Sequence, residues 1–262
     1  MTPSPLFRVV RVVLLLAFAA YFFGPLLAMF DFSTQVRGSA PGRTWDNWEY
    51  MFTDEDFRSS IIYSLLLALF TVVLMVALLV PTMVWVRLRV PRVRRLMEFL
   101  CLLPLTIPAL VIVVGINNVY SWVTYLLGDS PLVLTFAYVV LVLPYSYRAI
   151  DAALSAIDVA TLAEAARSLG AGWFTVIARV ILPNITSGVL GAAFISVALV
   201  LGEYVFASLL HFDTLPVAMA AIYKSNGPAA MAAALASMLF ASALLLGLTF
   251  LSRDRHKQGA TS

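Results

Sequence analysis

Glu203 is the group with the sharpest chemistry that the sequence places in an apolar setting. It lies in the segment Leu201-Gly202-Glu203-Tyr204, inside a hydrophobic run long enough to cross a membrane. A carboxylate near the middle of a bilayer costs about 2.5–3.5 kcal/mol on insertion scales, so we expect it to face a cavity or a partner. As a functional acid it would attract a cation, and as a structural acid it would pair with a neighbouring helix or subunit. Both roles are open at this point.

Aromatic side chains could assist Glu203 in binding a cation, because the face of an aromatic ring attracts ammonium groups. Tyr204 follows Glu203 directly, and Tyr120, Trp122 and Tyr125 lie near the end of an earlier apolar run. Glu203, Tyr204, Tyr120 and Trp122 are therefore candidate cation-binding residues, and they are the predicted pathway residues if the chain carries a solute across the membrane.

Motifs for catalysis, nucleotide binding and metal binding are missing from the sequence. There is no Gly-x4-Gly-Lys-Ser/Thr, no Gly-x-Ser-x-Gly and no His-Glu-x-x-His. The two histidines, His211 and His256, are far apart, and Cys101 is the single cysteine. A disulfide framework and a multi-cysteine metal site are thus excluded, and we expect no metal site in this chain.

A polar segment at 151–183 lies between two hydrophobic runs. Ala160 to Leu169 is rich in helix formers, and Gly170 and Gly172 then stop the run. A helical pattern resumes from Trp173 to Leu182, and Pro183 closes it. We predict two short helices that meet at a glycine corner, since glycine tolerates left-handed backbone angles and close approach by another chain.

The composition places these groups in a membrane protein. Of the 262 residues, 62% are hydrophobic and only 12% are charged, and the mean hydropathy is +0.95. A soluble domain carries roughly twice that charged fraction. The net charge of +3 comes from clusters beside the apolar runs, so it reflects membrane topology and not nucleic-acid binding. The predicted spans are 12–31, 60–86, 96–119, 132–150, 185–210 and 229–251, each helical because a backbone in lipid must satisfy its own hydrogen bonds.

The basic residues orient these six spans. They fall in the N-terminus, the connection after span two and the C-terminal tail: Arg8, Arg11; Arg87, Arg89, Arg92, Arg94, Arg95; Arg253, Arg255, Lys257. An even number of spans puts all three clusters on one face, which the positive-inside rule makes cytoplasmic. The 151–183 loop then lies inside the cell and the acidic 31–59 loop outside. Trp45 and Trp48 in that outer loop are either interfacial anchors or a contact surface for an external protein.

The polar segment resembles the loop by which permease subunits of binding-protein-dependent ABC importers dock on their ATPase. That loop reads Glu-Ala-Ala, three residues, Gly, then nine residues and an aliphatic-x-Leu-Pro ending. The matching positions here are Glu164, Ala165, Ala166, Gly170, Val180, Leu182 and Pro183. Valine at 180 stands where isoleucine is more usual. The loop also falls between the fourth and fifth of six spans, as it does in the family.

The resemblance implies an all-α polytopic membrane protein with six transmembrane helices, the type-1 ABC importer permease fold and cytoplasmic N- and C-termini. The first helix and external loop would occupy 1–59, the transmembrane domain 60–252 with its cytoplasmic coupling loop at 151–183, and a cytoplasmic tail 253–262. Glu164 and Arg167 would make charged contacts at the rim of the ATPase groove. The chain would be a transport subunit without enzymatic activity or cofactor of its own.

The same resemblance implies the partners and the location. These are a second homologous permease, an ABC ATPase dimer that uses ATP and Mg²⁺, an external solute-binding protein and the bacterial cytoplasmic (inner) membrane, which the chain would cross several times. No nucleic acid is implied.

Residues 45–257 look like the C-type permease of spermidine/putrescine importers. The shared pieces are Asn47-Trp48-Glu49-Tyr50, the segment from Glu164 to Pro183, Leu215-Pro216 with Ile222-Tyr223, and Arg253-Asp254. Two differences are a single acid, Glu203, where paired acids are usual, and Tyr63 where asparagine is common. Polyamine is thus the first solute class, and iron(III), thiamine, phosphonate and sulfate/molybdate are alternatives.

Two other classes of membrane protein predict sequence patterns that differ from this one. An ion-coupled secondary transporter predicts inverted repeats and broken mid-membrane helices, and the sequence has no convincing internal repeat. An integral membrane enzyme predicts a cluster of His, Asp or Ser at one depth, and none is evident.

Overall fold

The regular structure of this chain is helical. The computed structural model describes residues 5–36 and 42–258, with side chains at 7, 9–36, 42–243 and 247. Within those ranges the only β pairing is an isolated bridge between Gln35 and Arg43. The helices are α1 (Pro5–Ser33), α2 (Asp46–Thr53), α3 (Glu55–Arg89), α4 (Arg94–Leu102), α5 (Ala109–Leu127), α6 (Thr135–Ser155), α7 (Val159–Ser168), α8 (Trp173–Thr175), α9 (Leu182–Asn184), α10 (Thr186–Gly202), α11 (Val205–Leu209), α12 (Leu215–Tyr223) and α13 (Gly227–Gln258). The all-α prediction is confirmed.

Among the residues that the structure describes, four helical segments are long and apolar enough to cross a membrane: Val9–Ser33, Glu55–Arg89, Ala109–Leu127 and Pro131–Ser155. The bent pair Trp173–Asn184 and Thr186–Gly202 would make a fifth span if it is counted as one, and Gly227–Ala243 is a shorter apolar helix. The number of six spans and the cytoplasmic termini stay predictions. Residues 259–262 of the predicted tail, and the side chains of Arg8 and of 253–258, lie outside the described part of the chain.

The predicted third span, 96–119, is wrong in its limits. Helix α4 ends at Leu102, a 3₁₀ turn covers Leu103–Thr106, and the continuous helix α5 runs from Ala109 to Leu127. Pro108 accounts for the break, because it disfavours helical angles in the residue before it and Ile107 is extended (φ −105°, ψ 125°). Pro104 lies in the first turn of the 3₁₀ helix, where its missing N–H is tolerated, and Leu103 before it keeps helical angles. The fifth span, predicted at 185–210, is also interrupted, since α10 ends at Gly202 and α11 begins at Val205.

Contacts divide the chain into two units, of which the first contains residues 1–58 and 218–240. Inside it, the side-chain amide of Asn47 donates hydrogen bonds to the carbonyl oxygens of Ser33 and Gln35, both at 2.9 Å. The rings of Phe30, Trp45 and Trp48 pack with centroids 6.1–6.4 Å apart. The tryptophans of the acidic loop therefore contact the end of α1, while Trp45 keeps 64% of its surface exposed.

The second unit contains residues 59–217 and 241–262, and the packing of α6 against α10 forms much of its core. Gly188 lets these two helices approach closely, since a Cβ built there would lie 2.8 Å from the carbonyl oxygen of Ala149. Further along, the buried hydroxyls of Ser146 and Ser196 are hydrogen-bonded at 3.0 Å. Because α6 leads into the polar segment 151–183 and α10 leads out of it, the segment begins and ends on one tightly packed helix pair.

Candidate functional site

The polar segment begins with a capped helix. The carboxylate of Asp158 accepts a hydrogen bond from the backbone N–H of Thr161 at 3.2 Å and another from its hydroxyl at 2.7 Å. Hydrogen bonds from Thr161 hold the pKa of Asp158 below its usual value. This is a normal N-cap, which satisfies amide groups that the first turn of a helix leaves free. Helix α7 then buries Val159 and Ala163 and leaves Glu164 exposed.

The glycine corner has the geometry that the sequence predicts. Gly170 has φ +83°, in the left-handed region. Its N–H donates to the carbonyl of Arg167 at 3.0 Å, and the N–H of Ala171 donates to the carbonyl of Ala166 at 3.1 Å. These two bonds define a Schellman motif, which usually requires glycine at the position after the helix. The corner is open on its outer side, because a Cβ built at Gly170 meets no atom within 4 Å.

The second arm of the segment packs back beneath α7. The Cζ atoms of Arg89 and Arg167 lie 5.3 and 5.2 Å from the ring centroid of Trp173, at cation–π distance. Arg167 also donates to the carbonyl of Ala171 at 2.9 Å. Glu164, Arg167 and Trp173, together with Arg89 at the end of α3, line a cavity of about 290 Å³. Arg167 therefore stabilises the corner itself and is not only a surface charge.

The segment does not end at Pro183 as predicted. A π-helical turn, Val176–Ile181, leads into the short helix α9, and Pro183 lies in the first turn of that helix. The chain bends by 81° between Trp173–Asn184 and Thr186–Gly202, so the direction changes at Ile185, two residues later than predicted.

Two large apolar side chains beside the corner were not singled out from the sequence. Leu169 is 88% exposed and Phe174 is 84% exposed. They flank Gly170 on the two arms, so the corner presents apolar surface next to the charges of Glu164 and Arg167. Exposed apolar groups of this size, rimmed by polar residues, mark interaction surfaces. In the sequence, the one feature that could have identified them is that Leu169 and Phe174 are bulky apolar residues close to glycines in a polar loop.

A cluster of ion pairs joins the base of the segment to α3 and α4. Asp151, near the end of α6, is 2.6 Å from the Arg87 guanidinium and 3.0 Å from that of Arg94. Arg87 also donates to the carbonyl of Asp151 at 2.9 Å and to the Ser155 hydroxyl at 2.8 Å. The bond to Asp151 raises the pKa of Arg94 above its usual value. The arginines from which the membrane topology is predicted thus also bond the ends of α3, α4 and α6 to one another.

Glu203 interrupts the fifth apolar run and caps the next helix. Its Oε1 accepts hydrogen bonds from the backbone N–H groups of Val205 at 2.7 Å and Phe206 at 3.0 Å. Glu203 has extended angles (φ −80°, ψ 115°), which explains why α10 stops at Gly202. The side chain is half-buried. Glu203 therefore has a structural role as the cap of α11, and both hydrogen bonds of this cap are to Oε1.

The other predicted pathway residues occupy different surroundings. Tyr204 is 47% exposed beside the helix break, whereas Trp122 is 69% exposed and contacts the ring of Tyr125. Tyr120 is buried, and its hydroxyl donates to the Val133 carbonyl and accepts from the Ala137 N–H, both at 3.1 Å. The structure thus brings Glu203 and Tyr204 together and makes Tyr120 a packing residue of α5.

The fold is shared with a transporter of known structure. The chain resembles the crystal structure of a bacterial ABC transporter involved in the import of the acidic polysaccharide alginate, with a TM-score of 0.65 and 17% sequence identity. The match covers 96% of this chain and 99% of that chain. At this identity the likeness shows the fold alone. No curated protein sequence matches this chain.

The family of the chain follows from its sequence. Residues 82–256, more than half of the chain, match the family model described as "Binding-protein-dependent transport system inner membrane component". The protein therefore belongs to the family of membrane permeases of binding-protein-dependent ABC importers. This is a family of transport subunits, and the prediction of an importer permease is confirmed at that level.

Proposed function

We propose that this chain is one of two permease subunits of an ATP-driven importer, and that residues 151–183 dock on an ATPase dimer at the cytoplasmic face. The ATPase hydrolyses ATP with Mg²⁺, and a solute-binding protein delivers the solute on the opposite face. The observation that carries the coupling role is the exposed corner. Glu164, Leu169 and Gly170 are exposed, and the contact of Arg167 with the ring of Trp173 joins the two arms of the corner.

The rigid base of the segment supports this role. A corner that transmits motion must not yield where it joins the membrane helices. Helices α6 and α10 are in close contact at Gly188, and Asp151 is bonded to two arginines. Closure of the ATPase dimer would therefore move α6 and α10 together with the corner, and would open the pathway between the permease subunits.

We propose polyamines as the solute class. The support is the resemblance to spermidine/putrescine permeases together with the carboxylate of Glu203 at a helix break. A carboxylate in the pathway attracts cations and repels the anions of the alternatives, phosphonate and sulfate/molybdate. Iron(III) and thiamine are cations and are the competing solutes. The shared fold does not indicate the charge of the solute, because the transporter of similar structure is involved in the import of an acidic polysaccharide.

Substitution of Gly170 by aspartate tests the docking role. The side chain adds volume and charge at the corner, so the complex should assemble in the membrane but lose solute-dependent ATP hydrolysis. Gly128→Asp is the matched control, because Gly128 also has positive φ (+88°) and a Cβ there also meets nothing within 4 Å. Normal ATP-dependent uptake in Gly170→Asp, or an equal loss in Gly128→Asp, would contradict the docking role.

Uptake by the reconstituted complex tests the solute class. Proteoliposomes that contain both permeases and the ATPase, supplied with the solute-binding protein, should accumulate labelled putrescine and spermidine only when ATP is present. Iron(III), thiamine, phosphonate, sulfate and molybdate form the comparison panel. Uptake of one of these in place of the polyamines would refute the solute class and leave the coupling role intact.

A further inference from the structure

Tyr138 of α6 has a buried hydroxyl without a hydrogen-bond partner in the described part of the chain. The residue is fully buried, with 0% of its surface exposed. Proteins rarely leave a buried hydroxyl unpaired, and such a group often indicates a ligand, an ion or a water that completes it. In a membrane protein the cost is not relieved by surrounding solvent, so this hydroxyl requires an explanation.

Tyr138 packs against the helix that Glu203 caps. The ring of Tyr138 packs edge-on against the ring of Phe206, with centroids 6.1 Å apart. Phe206 in turn donates its backbone N–H to Oε1 of Glu203. Because both bonds to Glu203 use Oε1, Oε2 has no hydrogen-bond partner among the described residues. Two unpaired oxygens therefore belong to residues that both contact α11.

Tyr120 shows that this region can satisfy a tyrosine hydroxyl. Its hydroxyl donates to the carbonyl of Val133 and accepts from the N–H of Ala137, the residue just before Tyr138. Among the described residues, Thr71 and Thr214 also have buried hydroxyls without a partner. Tyr138 differs from them in that its ring packs against Phe206, in the helix that Glu203 caps.

We propose that the Tyr138 hydroxyl oxygen and Oε2 of Glu203 together bind one ammonium group of the transported solute. This inference rests on the proposed cationic solute and names the residues that receive it. An ammonium group has three donors and no acceptor, so it suits two oxygens that lack donors. Glu203 supplies the opposite charge, and charge-assisted hydrogen bonds of this kind are among the strongest in proteins.

The break between α10 and α11 gives a route to this site. Tyr138 is enclosed in the present structure, but Glu203 is only half-buried and Tyr204 is exposed. The backbone of Glu203 is extended, and a shift of this segment would release the bonds by which Val205 and Phe206 hold Oε1. The ammonium group would meet Glu203 first and Tyr138 once the segment shifts.

The test compares Tyr138→Phe with Tyr120→Phe, since each removes one hydroxyl and keeps the ring. In the reconstituted complex with saturating solute-binding protein, Tyr138→Phe should lower putrescine uptake per ATP hydrolysed about ten-fold, the expected effect of a lost hydrogen bond to a charged group. Its melting temperature should be unchanged or higher, because an unpaired buried hydroxyl is removed. Tyr120→Phe removes a hydroxyl that has two hydrogen-bond partners, so it should lower the melting temperature.

A double variant determines whether the two oxygens act together. If Tyr138 and Glu203 bind the same ammonium group, their effects should not add. The loss of uptake in the double variant Tyr138→Phe, Glu203→Gln should then be little larger than the loss in the more impaired single variant. Additive losses, unchanged uptake in Tyr138→Phe, or a lower melting temperature of that variant would each overturn the site while polyamine uptake by the wild type stands. A wild-type complex that takes up neither putrescine nor spermidine would instead overturn the proposed solute and this site with it.

Discussion

Neutralising Asp151 should loosen the base of the coupling segment. In Asp151→Asn the side chain keeps its shape and loses its charge. Arg87, whose side chain is only 15% exposed, then lies next to a neutral amide instead of a carboxylate 2.6 Å away. Arg94 loses its partner as well, but its side chain is 46% exposed and water can replace that bond.

The size of the effect follows from these exposures. Breaking a fully buried ion pair costs about 3–5 kcal/mol, because the remaining charge is uncompensated. An exposed pair contributes about 0–1 kcal/mol. The pair of Asp151 with Arg87 is partly buried, so a loss of about 2 kcal/mol is expected, with little more from Arg94. For a chain of this size that loss corresponds to a fall in melting temperature of about 4–8 °C.

The assay is thermal unfolding of the purified complex, with Glu98→Gln as the matched control. Glu98 pairs with Arg148 at 3.0 Å and also links α4 with α6, but these side chains are 37% and 62% exposed. The control should therefore shift the melting temperature by no more than about 2–4 °C. Equal shifts for the two variants, or none for Asp151→Asn, would refute the claim that Asp151 fastens the helix ends.

Three further predictions concern other parts of the second unit. Gly188→Ala should destabilise the protein by about 1–3 kcal/mol in thermal unfolding, because its Cβ would clash with α6, whereas Gly191→Ala, where a Cβ meets nothing within 4 Å, should not. The carboxyl of Asp158 has a pKa below its ordinary value of 3.8, so its cap should stabilise α7 fully above pH 3.8. This stabilisation should disappear as the pH falls through the lowered pKa of the folded state. Asp158→Asn should remove this pH dependence from the hydrogen-exchange protection of α7. Phe174→Ser should leave the melting temperature unchanged and weaken ATPase binding in a pull-down, and a lower melting temperature would show instead that the ring packs within the subunit.

The corner was predictable because residue type alone determines it. A glycine after a run of helix formers favours a left-handed residue, and Gly170 has φ +83° as the Schellman motif requires. The two arms on either side, and the membrane class of the chain, follow from similarly local patterns. Their docking role stays a proposal, because that role concerns a partner subunit.

The helix breaks were less predictable because proline has different effects in different places. Pro81 and Pro144 lie inside the continuous helices α3 and α6, while Pro104 and Pro108 separate α4 from α5. The outcome depends on which neighbours can satisfy the freed carbonyl groups, and a single sequence does not give those neighbours.

Long-range partners were also beyond the sequence. Arg87 and Asp151 are 64 positions apart, and nothing local pairs them. Glu203 was recognised as unusual, but its bonds to the next helix and the unpaired hydroxyl of Tyr138 appear only once α6 and α11 are packed. Tyr138 is one of ten tyrosines, and in the sequence it does not differ from the rest.

Thiol labelling of Leu169→Cys tests the coupling role most directly. Cys101 is the only native cysteine and is buried, so Cys101→Ala gives a background with a single reactive thiol. We predict that a membrane-impermeant maleimide labels this position in inside-out vesicles stripped of ATPase, fails to label it in right-side-out vesicles, and is blocked when the ATPase is bound again. Labelling from the outside, or labelling that the bound ATPase does not reduce, would contradict the account.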